Sequence, residues 1–79
     1  MYYVYVLKSQ KTDRYYIGST GNLEDRLIRH NSSRSKLTKK EAPWKLVYSE
    51  LYSSRKEAVK REKQIKSYHG GNEFKRLFK

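Results

Sequence analysis

The chain has 79 residues, no cysteine, and a formal net charge of +11 from nineteen Lys and Arg against eight Asp and Glu. That length predicts one domain, residues 1–79, with a small core. The lack of cysteine excludes a disulfide framework and a thiolate zinc site, and no apolar stretch approaches the roughly 20 residues that span a bilayer.

The opening residues MYYVYVLKSQ lack a basic region ahead of an apolar run, so they read as a strand rather than a secretion signal, and a cytoplasmic location is expected. Tyr2 to Leu7 are almost wholly aromatic or β-branched, the pattern of a strand with at least one buried face. Lys8 to Arg14 is a polar connection with Asp13 as its turn residue, and Tyr15 to Ser19 is a second short strand, giving a hairpin. Asn22 is a good helix N-cap. In the helix that follows, Leu23 and Leu27 form one row and Arg26 and His30 a neighbouring row at the same spacing. The helix fades in Asn31-Ser32-Ser33, and a basic loop runs from Arg34 to Lys40 before Pro43.

Trp44 to Tyr52 is the longest alternating stretch. Simple alternation puts Trp44, Leu46, Tyr48 and Tyr52 on one face and Val47 and Leu51 on the other, and apolar residues on both faces predict a central strand. Ser54-Arg55-Lys56-Glu57 is a capping box that opens a second helix running to about Tyr68, with Gly70-Gly71 as its stop. Asn72 is expected to cap a short terminal helix whose Phe74, Leu77 and Phe78 dock on the core. The reading is β-β-α-β-α-α, an α/β domain with a small three-stranded sheet flanked by helices.

Two features call for function. So large a positive charge repels itself in the free protein, which implies a polyanionic partner, and eight tyrosines beside it favour nucleic acid over an anionic membrane surface. The second helix also places Ala58, Glu62 and Ile65 at i, i+4 and i+7, so Glu62 sits in the stripe that faces the protein. A buried carboxylate needs a cation or hydrogen bonds, which points to a metal or an arginine beside it.

Assembled in order, these residues resemble the GIY-YIG nuclease family. Tyr3-Val4-Tyr5 stands where the first triplet belongs, and Tyr16-Ile17-Gly18 matches the second. Arg26 and His30 follow at the spacing expected on the first helix, and Glu62 lies in Arg61-Glu62-Lys63-Gln64-Ile65-Lys66 on the later one. The likeness extends over essentially the whole chain and is greatest to small standalone bacterial members. The first triplet departs from the pattern in lacking its leading Gly.

The resemblance implies a metal-dependent endonuclease acting on nucleic acid, with DNA the expected substrate, as in the family's excision-repair and homing enzymes. It implies catalytic roles for Tyr5, Tyr16, Arg26, His30 and Glu62, with Glu62 as the ligand of one Mg²⁺ or Mn²⁺. One carboxylate suffices for such an ion, which keeps several waters and takes oxygens from the phosphate. The ion acidifies water and acts as a Lewis acid. Arg26 would stabilise charge on the phosphate with its planar fork. Tyr5, whose ordinary pKa is about 10, needs nearby positive charge to act as a base. Which of Tyr5, Tyr16 and His30 takes the proton stays open. Tyr3, Gly18 and Asn72 are candidate supporting residues, and Lys36, Lys39 and Lys40 candidate phosphate contacts.

Each residue also has a structural reading: Tyr5 and Tyr16 as cross-strand core aromatics, Arg26 and His30 as a solvated helix face, Glu62 as half of an ion pair, Asn72 as a cap. The competing functions are a non-catalytic nucleic-acid-binding module on the same fold, and a basic membrane-surface or ribosome-associated protein. No protein partner is deducible.

Overall fold

The computed structural model describes residues 1–31, 39–68 and 71–77, with Lys39 described in its backbone alone. The elements run β1 (Tyr2–Ser9), β2 (Tyr15–Thr20), α1 (Leu23–Asn31), a 3₁₀ turn (Lys39–Glu41), β3 (Trp44–Tyr52), α2 (Arg55–Lys66) and α3 (Asn72–Arg76). The expected β-β-α-β-α-α order is therefore the observed one.

β1 is the middle strand of an antiparallel sheet of order β2-β1-β3. Its run of apolar residues reflects burial on both faces. Val4 and Val6 pack with Ala58, Ile65 and Phe74 from α2 and α3. Tyr5 and Leu7 pack on the opposite face with Trp44, Tyr16, Leu23 and Leu27. Ile65 and Phe74 are 0% and 3% exposed, and burial of such side chains contributes about 1.5–3 kcal/mol apiece.

The hairpin and caps follow local chemistry. Asp13 adopts a positive φ of 61° in the β1–β2 turn, a conformation that Asp tolerates better than most residues. The buried Ser9 hydroxyl accepts from Lys11 and Thr12 N–H and donates to the Glu41 carbonyl, tying this turn to the 3₁₀ segment. Asn22 Oδ1 accepts from Asp25 N–H at 3.0 Å, and Ser54 Oγ accepts from Glu57 N–H at 3.3 Å, so both expected N-caps are in place.

Three expectations need correction. β3 is a border strand, and the central position belongs to β1. β3 also does not alternate throughout. Its pairing with β1 steps from Val6↔Tyr48 to Leu7↔Leu46, leaving Val47 as an extra residue in a β-bulge. The bulge reverses the faces. Trp44 and Leu46 lie with Tyr5 and Leu7, whereas Val47, Tyr48 and Tyr52 lie with Val4 and Val6. Lastly, Gly71 is the N-cap of α3, Asn72 is its exposed first residue, and no side chain caps that end. Phe78, His69 and Gly70 lie outside the described residues.

The border faces of β3 meet α2 through a polar network. Arg61 reaches Glu50 with Nε at 2.9 Å and Nη2 at 3.1 Å, Tyr52 donates to the same carboxylate at 2.6 Å, and Tyr48 donates to it as well. Among the described residues, no helix is long and apolar enough to cross a membrane.

Candidate active site

On the α1 face, strand register brings three ring systems together. Tyr5 faces Gly18 across the β1–β2 pair, and Leu7 faces Tyr16, so both tyrosines emerge on the same side. Tyr5 is 1% exposed, and its Oη lies 3.3 Å from His30 Nε2. Tyr16 stacks on Tyr5 at 6.4 Å and meets His30 at 4.5 Å between ring centroids. Trp44 closes the far side, 6.2 Å from Tyr16 and 6.5 Å from His30. Next to His30, Asn31 donates to the Trp44 carbonyl at 3.0 Å and accepts from its N–H, which pins the end of α1 to the start of β3.

Burial decides the protonation of this group. It pushes the Tyr5 phenol from 10.0 up to about 12; Tyr16 adds to the rise, Arg26 opposes it, Glu62 adds and Arg29 opposes. Burial also lowers His30 below 6.5, with Arg26 and then Arg29 pushing the same way. Positive charge thus stands beside Tyr5, as the sequence reading required, but desolvation outweighs it. At neutral pH the phenol keeps its proton and the imidazole is uncharged.

Glu62 belongs to the other face. Helical geometry places successive side chains about 100° apart, so Arg55, Val59, Glu62 and Lys66 form one stripe beside the buried Ala58 and Ile65. The Glu62 side chain is 17% exposed. Ser19 Oγ donates to its Oε1 at 2.6 Å, and Lys66 Nζ to its Oε2 at 2.6 Å. The inward stripe read from sequence is real, and the partners are a serine and a lysine one helical turn away.

The two halves meet at β2. Gly18 turns toward α1, and the next residue, Ser19, turns toward α2. The Tyr5 ring passes over Gly18 so closely that a Cβ there would lie 2.5 Å from Oη and 2.7 Å from Cζ. Glycine is required by that approach. Glu62 acts on Tyr5 through its field, as its contribution to the raised phenol shows. Among the described residues, no hydrogen bond or ion pair joins Glu62 to Tyr5 or Arg26. The half-buried Arg26 lines a polar cleft of about 250 Å³ with Tyr2, Ser19, Thr20, Gly21, Arg55 and Val59, directly beside the serine that holds Glu62.

The remaining candidates are dispersed. Tyr3 lines an open apolar groove with Leu23, Leu27 and Leu46, and neither Tyr5 nor His30 lines it. Asn72 is exposed at the start of α3, and Lys40 is exposed at the 3₁₀ turn. Lys36 and the Lys39 side chain lie outside the described residues. Sequence reasoning passed over Ser19, Trp44 and Lys66. Lys66 was legible as the i+4 partner of Glu62, whereas Ser19 and Trp44 depended on strand register.

Among the described residues, no three His, Asp or Glu side chains cluster as a metal would require of an all-protein cage. The lone, largely covered Glu62 carboxylate is a hard oxygen donor beside an open polar cleft. That chemistry fits Mg²⁺ or Mn²⁺ retaining most of its water.

Comparison with known proteins bears on the family and the fold. The family model described as the GIY-YIG catalytic domain matches residues 1–75. A UPF0213 protein of Staphylococcus haemolyticus is 43% identical over 68 residues, covering 85% of this chain and 82% of its own. One from Clostridium perfringens is 45% identical over 67 residues, covering 84% and 71%. The solution NMR structure of a UPF0213 protein from Bacillus halodurans superposes with a TM-score of 0.54 at 29% identity, covering 96% of this chain and 80% of that one. The names of these relatives specify no activity.

Proposed function

This chain belongs to the GIY-YIG catalytic-domain family, and from that premise we propose that it hydrolyses phosphodiester bonds in nucleic acid, DNA foremost, with one divalent metal ion held by Glu62. The observation that carries the proposal is the buried contact of Tyr5 Oη with His30 Nε2 at 3.3 Å, packed against Tyr16.

A phenol raised to about 12 is a poor base alone. Paired with a neutral imidazole it is a good relay. The attacking water passes a proton to Tyr5 Oη as the phenol's own proton moves to His30 Nε2, the imidazole's first proton residing on Nδ1. Hydroxide character develops on the nucleophile and His30 becomes cationic; the new P–O bond forms as the bond to the leaving oxygen breaks, that oxygen takes a proton from solvent, and His30 then returns its proton to solvent. Tyr16 and Trp44 hold the rings in place. Arg26 binds the non-bridging phosphate oxygens and stabilises the charge that grows there. When bound, the metal acidifies water and withdraws charge from the phosphate. Ser19 orients Glu62 for that task by engaging one of its two oxygens.

A non-catalytic nucleic-acid-binding module is the second reading, favoured by one observation: Lys66 already neutralises Glu62. Glu62→Gln separates the two. Under the first reading, purified protein cleaves branched or single-stranded DNA in Mg²⁺ or Mn²⁺. The variant then loses at least about a hundredfold in rate, as when one group that stabilises developing charge is removed, while binding persists. Wild-type binding without metal-dependent cleavage across a panel of DNA and RNA substrates selects the second.

A further inference from the structure

We infer that the nucleic-acid backbone reaches the site along the outer face of α2, with Arg55 passing it from that face into the cleft at Arg26; this rests on the nucleic-acid reading above. The cleft beside Ser19 shares Arg55 and Val59 with a shallow groove of about 570 Å³, whose other lining residues are Lys56, Lys60 and Lys63. The two depressions therefore adjoin at Arg55 and Val59 of one helix.

The wheel of α2 explains the placement. The Arg55–Val59–Glu62–Lys66 stripe lies between the buried Ala58 and Ile65 on one side and Lys56, Lys60 and Lys63 on the other. The basic stripe runs alongside the carboxylate, at about 10 Å from Lys56 to Lys63 along the axis. On the far side of the helix, Arg61 is occupied by Glu50.

Charge pairing sets these residues apart from four other cations. Lys8, Arg14, Arg61 and Lys66 each have a carboxylate partner, on Asp13, Glu41, Glu50 and Glu62 respectively. Among the described residues, none lies within ion-pair distance of Arg26, Arg55, Lys56, Lys60 or Lys63. Like charges at i and i+4 destabilise a helix, so the stripe is stabilised by a polyanion laid across it. The residue types fit the division of labour. Two guanidinium forks line the narrow cleft, where bidentate geometry matters, and three lysines line the open groove, where point charge suffices. The basic loop at Lys36, Lys39 and Lys40 is then not the main approach.

The test compares two sets of four exposed cations changed to Gln. One is Arg55, Lys56, Lys60 and Lys63; the control is Lys11, Lys45, Lys75 and Arg76, which line neither depression. Circular dichroism checks folding, and anisotropy of labelled single-stranded and duplex oligonucleotides is read against salt. The α2 set is expected to reduce the slope of log K on log salt by about 3–4, near 0.9 per phosphate contact. The control set is expected to change it by less than a third as much. Within the cleft, Arg55→Gln is expected to raise KM on the order of tenfold with kcat nearly unchanged, and Arg55→Lys to recover part of the loss. Equal losses in the two sets overturn the inference, and so does a fall in kcat at constant KM for Arg55→Gln. So does an α2 set that loses affinity for anionic phospholipid vesicles but keeps it for oligonucleotides. The binding comparison needs no turnover. Wild-type protein that binds no oligonucleotide sinks the nucleic-acid reading, and this inference with it; equal losses sink the inference alone.

Discussion

In a Gly18→Ala variant the new methyl would sit 2.5 Å from Tyr5 Oη, against the 3.4 Å at which ordinary van der Waals contact begins. Relief requires the ring to retreat by about 0.9 Å, the difference of those two distances. Tyr5 has little room to do so, being 1% exposed and held between Tyr16 and His30. Overpacking of this kind costs about 1–3 kcal/mol, and restricting the unfolded chain returns about 0.4–1 kcal/mol, leaving a net loss of up to about 2.5 kcal/mol, on the order of 1 kcal/mol at mid-range. Moving the phenol also lengthens a Tyr5–His30 bond already at 3.3 Å, so cleavage should fall more than stability does. Urea titration and single-turnover cleavage measure the two effects. A Tyr5→Leu background isolates the cause, because with the ring removed the alanine should become neutral or stabilising. If Gly18→Ala lowers stability equally with Tyr5 or Leu at position 5, or leaves stability and cleavage both unchanged, the steric argument is wrong.

Two pH-dependent predictions follow from opposite faces of the sheet. His30 has a folded value below 6.5 because burial, then Arg26 and Arg29, disfavour its charge. The unfolded chain therefore takes up this proton first, so stability declines as pH drops from about 6.5 and levels off below the folded value. The pH profile of kcat/KM should show one acid limb with its midpoint under 6.5, above which His30 is free to accept a proton. Loss of that limb in a still-active His30→Gln variant identifies its source; an unchanged limb rejects the relay. For Glu50, burial raises the carboxyl, but the bonds from Arg61, Tyr48 and Tyr52 together hold it below 4.5. Its stabilisation is present above the ordinary carboxylate value and is lost as pH falls through the folded one. Glu50→Gln should lower stability at neutral pH by about 1.5–3 kcal/mol and flatten the acid limb of the denaturation curve, both measurable by urea titration across pH.

What could be read from the sequence was whatever depends on local order. Asn22 and Ser54 cap their helices because the cap is made within three residues. Glu62 was recognisable as inward-facing because helix periodicity alone puts it beside Ala58 and Ile65. Apart from the start of α3, where Gly71 takes the capping place expected of Asn72, the failures are failures of register. One inserted residue, Val47, carries Trp44 to the Tyr16 face and Tyr48 to the Arg61 face, and no alternating pattern announces it. Ser19 could be matched to Glu62 only once β2 had a known face. The division of the proposed site between opposite faces follows from the order β2-β1-β3, which places β2 on the border.

A strand on the border leaves one row of its main-chain N–H and C=O groups outside the sheet's own ladder. In β2 that row takes every second residue of the stretch Gly18–Thr20, against which Tyr5 and Glu62 converge from opposite sides. An arriving phosphate meets peptide donors there as well as side chains, and substitution cannot remove a peptide group. Variants stripped of every charged contact would keep a floor of affinity of backbone origin, and replacing the amide at position 19 or 20 by an ester is the chemistry that would expose it.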